Sequence, residues 1–228
     1  MPSPFADRAR LGFVAGFLET WKLVATQPER FFARVRPDQA WSAILFGVIA
    51  STIGNALASL YAWLSGQQAI VALQQMVEKL PEEQGRIVNL YAQALTGRAV
   101  IAQVLLAPVL TFVFIYVAAA VVHVVLLVLK GAHRGFDATL TAVAHVSGLL
   151  LLLAVPGCGS LLAGVWALVS LVIGLGAIQR CGTGKSAAAV LAPFALVCVC
   201  CCGAIGMTVP AFLKGATDAS KGVQTLKL

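Results

Sequence analysis

VIAQVLLAPVLTFVFIYVAAAVVHVVLLVL, residues 100–129, runs without a single Asp, Glu, Lys or Arg. A helix over this stretch, rising about 1.5 Å per residue, is longer than the ~30 Å hydrocarbon core of a bilayer. Lipid offers a backbone no hydrogen bonds, so a run of this kind spans as a helix that satisfies its own amides. Four more apolar runs flank it: Trp41 to Leu64, Ala138 to Val155, Ser160 to Gln179 and Ala187 to Phe212. Even the shortest covers roughly 27 Å as an α-helix.

The fold class expected is therefore all-α, a polytopic membrane bundle of five transmembrane helices preceded by an interfacial amphipathic helix. Its parts are residues 1–40 (cytoplasmic amphipathic segment), 41–212 (membrane domain, with an external helical loop at 65–99) and 213–228 (short polar tail). With 228 residues, 60% hydrophobic and 11% charged, and a mean hydropathy of +0.91, the chain has no room for a soluble catalytic domain. The net charge of +7 is dispersed through the connecting segments and never forms a basic run. Anionic lipid, rather than nucleic acid, is the expected partner of such charge.

The distribution of bases predicts the orientation. Arg8, Arg10, Lys22, Arg30, Arg34 and Arg36 place the N-terminus in the cytoplasm, and an odd number of spans then places the C-terminus outside. The connections Lys130 to Asp137 and Arg180 to Ser186 fall inside and carry bases; the turn Pro156 to Gly159, outside, carries none. Lys214, Lys221 and Lys227 in the tail run against this scheme. No cleavable signal peptide is expected, because the first apolar stretch is short and interrupted by Glu19. Instead Leu11, Val14, Leu18, Trp21 and Val24 recur at helical spacing, as an amphipathic helix on the inner face or packed on the bundle would require. Outside, Ile70, Leu73, Val77 and Leu80, then Ile87, Leu90, Tyr91, Ala94 and Leu95, predict a helical hairpin broken at Pro81 to Gly85.

Small residues mark close helix approach: Gly47, Ser51 and Asn55 in one stripe, Gly54 with Ala58 in a second, Ala144 with Gly148 in a third. Pro108 and Pro193 lie inside spans and free carbonyls there. Gly182-Thr183-Gly184-Lys185-Ser186 imitates a phosphate-binding loop, yet Gln179 stands where that motif needs Gly and no strand precedes it. Cys158 and Cys181 lie at opposite ends of one span, roughly 34 Å apart, too far for a disulfide. Cys198, Cys200, Cys201 and Cys202 sit mid-span; Cys198, Cys201 and Cys202 share a face that suits a soft metal, but no Met or His accompanies them in that span. Packing is the favoured reading, and no metal or other cofactor is expected.

His123 and His145 form the candidate polar pair. Each lies eleven residues from Arg134, so an antiparallel hairpin sets them at similar depth. Ionisable groups in a membrane are costly and often functional, in proton, ion or lipid handling. The plainer alternative is a neutral imidazole making an interhelical hydrogen bond. No carboxylate lies in any span to complete a relay, and no catalytic residues are assigned.

The order of landmarks resembles the Yip family of five-pass membrane proteins. It is carried by Pro28-Glu29-Arg30-Phe31-Phe32 ahead of the first span, the basic turn Lys130 to Asp137, Ala138-Thr139-Leu140, and Val155-Pro156-Gly157-Cys158-Gly159, followed by Trp166 and Gly174-Leu175. Within these, Pro28, Phe31, Phe32, Pro156, Gly157 and Gly159 are the family-like positions. The resemblance implies a non-enzymatic integral membrane protein that organises or scaffolds membrane components, of the compact bacterial type, in the cell inner membrane. Membrane lipids, other membrane proteins or further copies of the chain are the partners it implies. The long polar N-terminal tail of the eukaryotic members is missing here, so their GTPase partnership is not supported. His145 stands where an aromatic residue is expected. The alternative function is a small-solute, ion or lipid transporter using His123 and His145.

Overall fold

The computed structural model describes residues 2–77, 97–195 and 198–199, with side chains omitted at 67–77. Among these residues every regular element is helical. Three helices lead: α1 (Arg8–Leu11), α2 (Phe13–Thr26) and α3 (Pro28–Arg34). Five follow: α4 (Ala40–Val77), α5 (Gly97–Val128), α6 (Gly135–Ser147, prolonged by a 3-10 stretch Gly148–Ala154), α7 (Gly159–Gln179) and α8 (described over 183–195). Four of these stretches, 37–66, 97–128, 135–154 and 159–179, are long and apolar enough to cross a membrane. The fifth expected span, Ala187 to Phe212, starts within α8, and all of it beyond residue 195 except 198–199 lies outside the described residues.

The chain divides into two compact units, Met1–Tyr61 with Ile101–Pro193, and Ala62–Val100 with Phe194–Leu228. In the smaller unit the Trp63 indole lies beside the start of α5, 3.6 Å from where a Cβ on Gly97 would stand, an ordinary contact distance. The architecture that follows is that of the larger unit.

Helix α6 is its axis. Every residue from Ala138 to Leu149 is buried. Ala138, Ala142, Val146 and Leu149 face one apolar cluster with Val24, Phe32, Leu126 and Leu175, while Leu140, Val143 and Ala144 face another with Ala43, Ile44 and Ile115. Two stripes at helical spacing on opposite sides of one helix mean protein on both sides of it. The seven-residue 3-10 stretch is longer than such runs usually are, and at about 2.0 Å per residue it brings the whole element to roughly 33 Å. The shortest apolar run thus reaches the full thickness of the hydrocarbon core.

The small-residue stripes work as the sequence predicts. A Cβ on Gly47 would collide with the Ala144 carbonyl oxygen, and one on Gly54 with that of Leu150. Between them the Ser51 hydroxyl donates to the Ser147 carbonyl at 2.8 Å. The three contacts advance together along both helices, so α4 and α6 run parallel at backbone contact. Asn55, expected on the same stripe, instead donates back to the Ser51 carbonyl of its own helix.

Two expectations change. Helix α4 does not stop at Leu64 but runs on through Ile70 and Leu73 to Val77, so the first of the two stripes read as an external hairpin begins as a continuation of the span; the break at Pro81 to Gly85 and the second stripe lie outside the described residues. Nothing between Leu64 and Val77 is a helix breaker except Gly66, which costs a helix only about 1 kcal/mol. The N-terminal helix also differs. Gly12, with φ +86°, ends α1 and excludes Leu11 from α2, whose buried face is Gly16, Phe17, Thr20 and Val24. Val14 and Leu18, placed on the apolar stripe by sequence, are exposed. Helix α2 packs on the bundle through the adjacent sector: Phe17 meets Phe46, and the Trp166 indole donates to the Ala25 carbonyl at 2.8 Å.

Candidate functional site

Where α5, α6 and α7 converge at the Lys130–Asp137 connection, a polar centre is buried. Gln179, the last residue of α7, is fully buried and uses its whole amide. Its Oε1 accepts from the Arg134 backbone N–H at 2.8 Å, and its Nε2 donates to the Gly135 carbonyl at 2.8 Å and to Thr139 Oγ1 at 2.9 Å. Thr139 Oγ1 lies 2.9 Å from His123 Nδ1. A hydroxyl that accepts from Gln179 keeps its own proton and a second lone pair, so it can pair with Nδ1 in either imidazole tautomer. The Phe136 ring lies edge-on to the imidazole, centroids 5.4 Å apart. A span-ending Gln, a Thr and a His thereby tie three helices through one hydrogen-bonded network.

His145 stands apart from this network. Its Nδ1 is 2.8 Å from the Thr141 carbonyl, which fixes the proton there, so Nε2 carries a bare lone pair. That nitrogen is buried and has no hydrogen-bond partner among the described residues. Around the imidazole stand Phe31, Phe46 and Phe32, with centroids 4.9, 5.8 and 6.2 Å away, the Phe31 and Phe32 rings nearly perpendicular to it. The two histidines therefore have different neighbours: His123 bonds across to Thr139, and His145 bonds within its own helix and is enclosed by aromatics.

The family-like residues build this enclosure. Pro28 opens α3, where its missing N–H costs nothing, and Phe31 and Phe32 are buried one turn on. Phe32 lies over Gly174, where a Cβ would stand 2.7 Å from the ring, and Phe46 lies over Gly148 in the same manner. The turn Pro156-Gly157-Cys158-Gly159 joins α6 to α7; Gly157 holds φ +81°, and a Cβ on Gly159 would press on the Leu152 carbonyl at 2.5 Å.

The two basic connections are interlocked. Lys185 Nζ donates to the Lys130 carbonyl at 3.0 Å, and the Arg134 guanidinium to the Ile178 carbonyl at 3.1 Å. Each places a cation on the carbonyl end of the other hairpin's helix, where unpaired oxygens and the helix dipole favour positive charge. The loop that imitates a phosphate cradle is spent in this way, its Ser186 hydroxyl also turned back to the carbonyls of Gly182 and Thr183. Cys158 and Cys181 are free thiols at the two ends of α7, and burial pushes the Cys181 thiol above its ordinary pKa. Cys198 is free; Cys200, Cys201 and Cys202 lie outside the described residues.

Gln179 and Thr139 were not singled out by sequence. The available signal was a lone amide at the end of an otherwise apolar run, one residue before Arg180. Apolar helices long enough to cross a bilayer, packed around a central one whose Thr, Ser and His are all buried, define a polytopic helical membrane protein. The family model of the Yip1 domain matches residues 21–205, most of the chain, and the protein belongs to that family. Neither a curated protein nor a solved structure matches it.

Proposed function

We propose that this protein is a non-enzymatic organiser or scaffold of a bacterial cytoplasmic membrane, crossing it five times with the N-terminus inside and the C-terminus outside. The reading is supported chiefly by how α6 is used: glycine-to-carbonyl contacts and the Ser51–Ser147 hydrogen bond seal it against α4, and Thr139 and Thr141 bond to other segments. That construction gives a rigid core and leaves wide apolar faces, notably on α5, for lipid, for other membrane proteins or for further copies of the chain. No catalytic role is assigned, and no GTPase partner. Cross-linking in native membranes followed by identification of captured proteins and lipids is the test: a defined, stoichiometric set of neighbours supports the reading, whereas flux of a small solute or protons through reconstituted vesicles overturns it.

A second reading, transport, is favoured by two observations. His145 Nε2 is buried without a partner among the described residues, and a cavity of about 250 Å³ lies between apolar side chains such as Leu110 and Phe114 and the polar Asn55, Gln103 and Thr111. Its test is a pH-dependent flux abolished by His145→Leu.

The orientation has its own test. An impermeant maleimide added outside should label Cys158, and Cys181 should label only once the inner face is opened. Because burial raises the Cys181 pKa, less thiolate is present at a given pH, so its labelling rate should still be climbing above pH 9. The reverse sidedness would invert the topology.

A further inference from the structure

Residues 2–4 fold back over α2 and α3. The Ser3 backbone N–H donates to Gln39 Oε1 at 3.3 Å and that of Phe5 to Thr20 Oγ1 at 2.8 Å, pinning the segment at both ends. Beneath it lies a cavity of about 270 Å³. Its wall is apolar, from Leu23, Phe31 and Val35, and its rim is polar, from Gln27, Arg30 and Arg34. The rim follows from sequence spacing: 27, 30, 31 and 34 stand three and four apart, so the two guanidiniums lie one helical turn from each other on one face of α3. The Arg30 guanidinium meets Gln27 Oε1 only at 3.5 Å. Among the described residues that line the cavity none is acidic; Glu29, the one acidic residue of α3, lines a different one with Gly176 and Thr183.

Two arginines and a glutamine lining a hollow together with Leu23, Phe31 and Val35 match a phosphate with an attached carbon skeleton. Guanidinium presents paired N–H donors at the spacing of phosphate oxygens and is more weakly hydrated than an ammonium. We infer that this cavity binds a phosphate-bearing ligand, with Arg30 and Arg34 holding the anion, Gln27 donating to it, and Leu23, Phe31 and Val35 against its glycerol-like part. Two sources carry this chemistry, the headgroup of an anionic phospholipid and a soluble phosphate ester. The lipid source rests on the N-terminal face lying at the inner leaflet; the phosphate site itself does not, and the thiol labelling described above tests that orientation separately.

The full-length protein in neutral detergent is titrated with short-chain phosphatidylglycerol, with short-chain phosphatidylcholine and with glycerol 3-phosphate, reading the thermal midpoint and the retained ligand by native mass spectrometry. A raised midpoint and one retained molecule with phosphatidylglycerol, but not phosphatidylcholine, is expected for a lipid headgroup; the same response to glycerol 3-phosphate alone assigns a soluble ester. Arg30→Gln with Arg34→Gln should weaken binding at least tenfold, while Arg10→Gln with Arg180→Gln, the same change in net charge at residues that do not line the cavity, should leave it within twofold. Arg30→Gln alone, at an exposed side chain, is the fallback if the double variant does not fold, with a smaller loss expected. Equal loss in the Arg10 and Arg180 variant would mean diffuse attraction to charge and would overturn the site, as would absence of a response to every phosphate probe.

Discussion

Helices α5 and α6 are neighbours joined by one short connection, yet they are built on opposite plans. Of the apolar window of α6, 67% is buried inside the protein; of that of α5, 22%. Helix α5 is the more apolar of the two, with Leu105, Val109, Val113, Val117, Val124 and Val128 all exposed along it. Helix α6 holds Thr139, Thr141, His145 and Ser147, all buried. In water the most apolar helix would be the one sealed in the core. In a bilayer, tails are as apolar as Leu, so an apolar face has nothing to gain from burial, whereas hydroxyl, amide and imidazole groups need protein partners. Here polarity within a span marks the interior.

Substitutions can break this contrast, beginning with the largest effect. Gly47→Leu forces a side chain into the Ala144 carbonyl and should cost on the order of 3 kcal/mol, seen as loss of folded protein in a thermal melt in detergent. Gln179→Leu leaves the Arg134 N–H and the Gly135 carbonyl without partners and should cost about 2 kcal/mol in the same assay. His145→Phe keeps an aromatic ring in the aromatic enclosure but gives up the Nδ1 bond to the Thr141 carbonyl and adds bulk, so a loss of about 1 kcal/mol is expected. A loss well above that would point to an interaction of Nε2 as well. His123→Leu removes a single interhelical bond, and a drop near ~0.6 kcal/mol is expected; a double-mutant cycle with Thr139→Val should recover most of it as coupling. Val113→Ala on the exposed face of α5 should change stability by less than ~0.5 kcal/mol, since lipid replaces protein at that surface. A larger loss would place a partner helix on α5.

Four of the expected spans were legible because long uncharged runs have one physical solution in lipid. That α4 and α6 could be approached closely was legible in their glycine and serine stripes, but which helix fills each stripe, and that the two run parallel, was not. The family was legible in Pro28-x-x-Phe31-Phe32 and the Pro156 turn. What escaped was set by tertiary contact. Periodicity gave α2 an apolar arc containing Leu11, Val14 and Leu18, but periodicity is silent on which part of a wide arc meets the bundle, and Phe17 and Thr20 do. Likewise equal spacing from Arg134 suggested a depth for His123 and His145 but held no rotational information, and the rings face different neighbours. Gln179 was invisible because an amide at the end of a span reads as an interface residue until its three partners are seen.

The reciprocal contacts of Lys185 with Lys130 and of Arg134 with Ile178 bear on biogenesis. The bases that bias which loops stay behind during insertion are also fasteners between those loops, and the fasteners close only when both connections have arrived on the same side. A chain threaded with one hairpin inverted would hold its ammonium and the waiting carbonyl on opposite faces of the bilayer. Sidedness and assembly thus meet in the same few atoms.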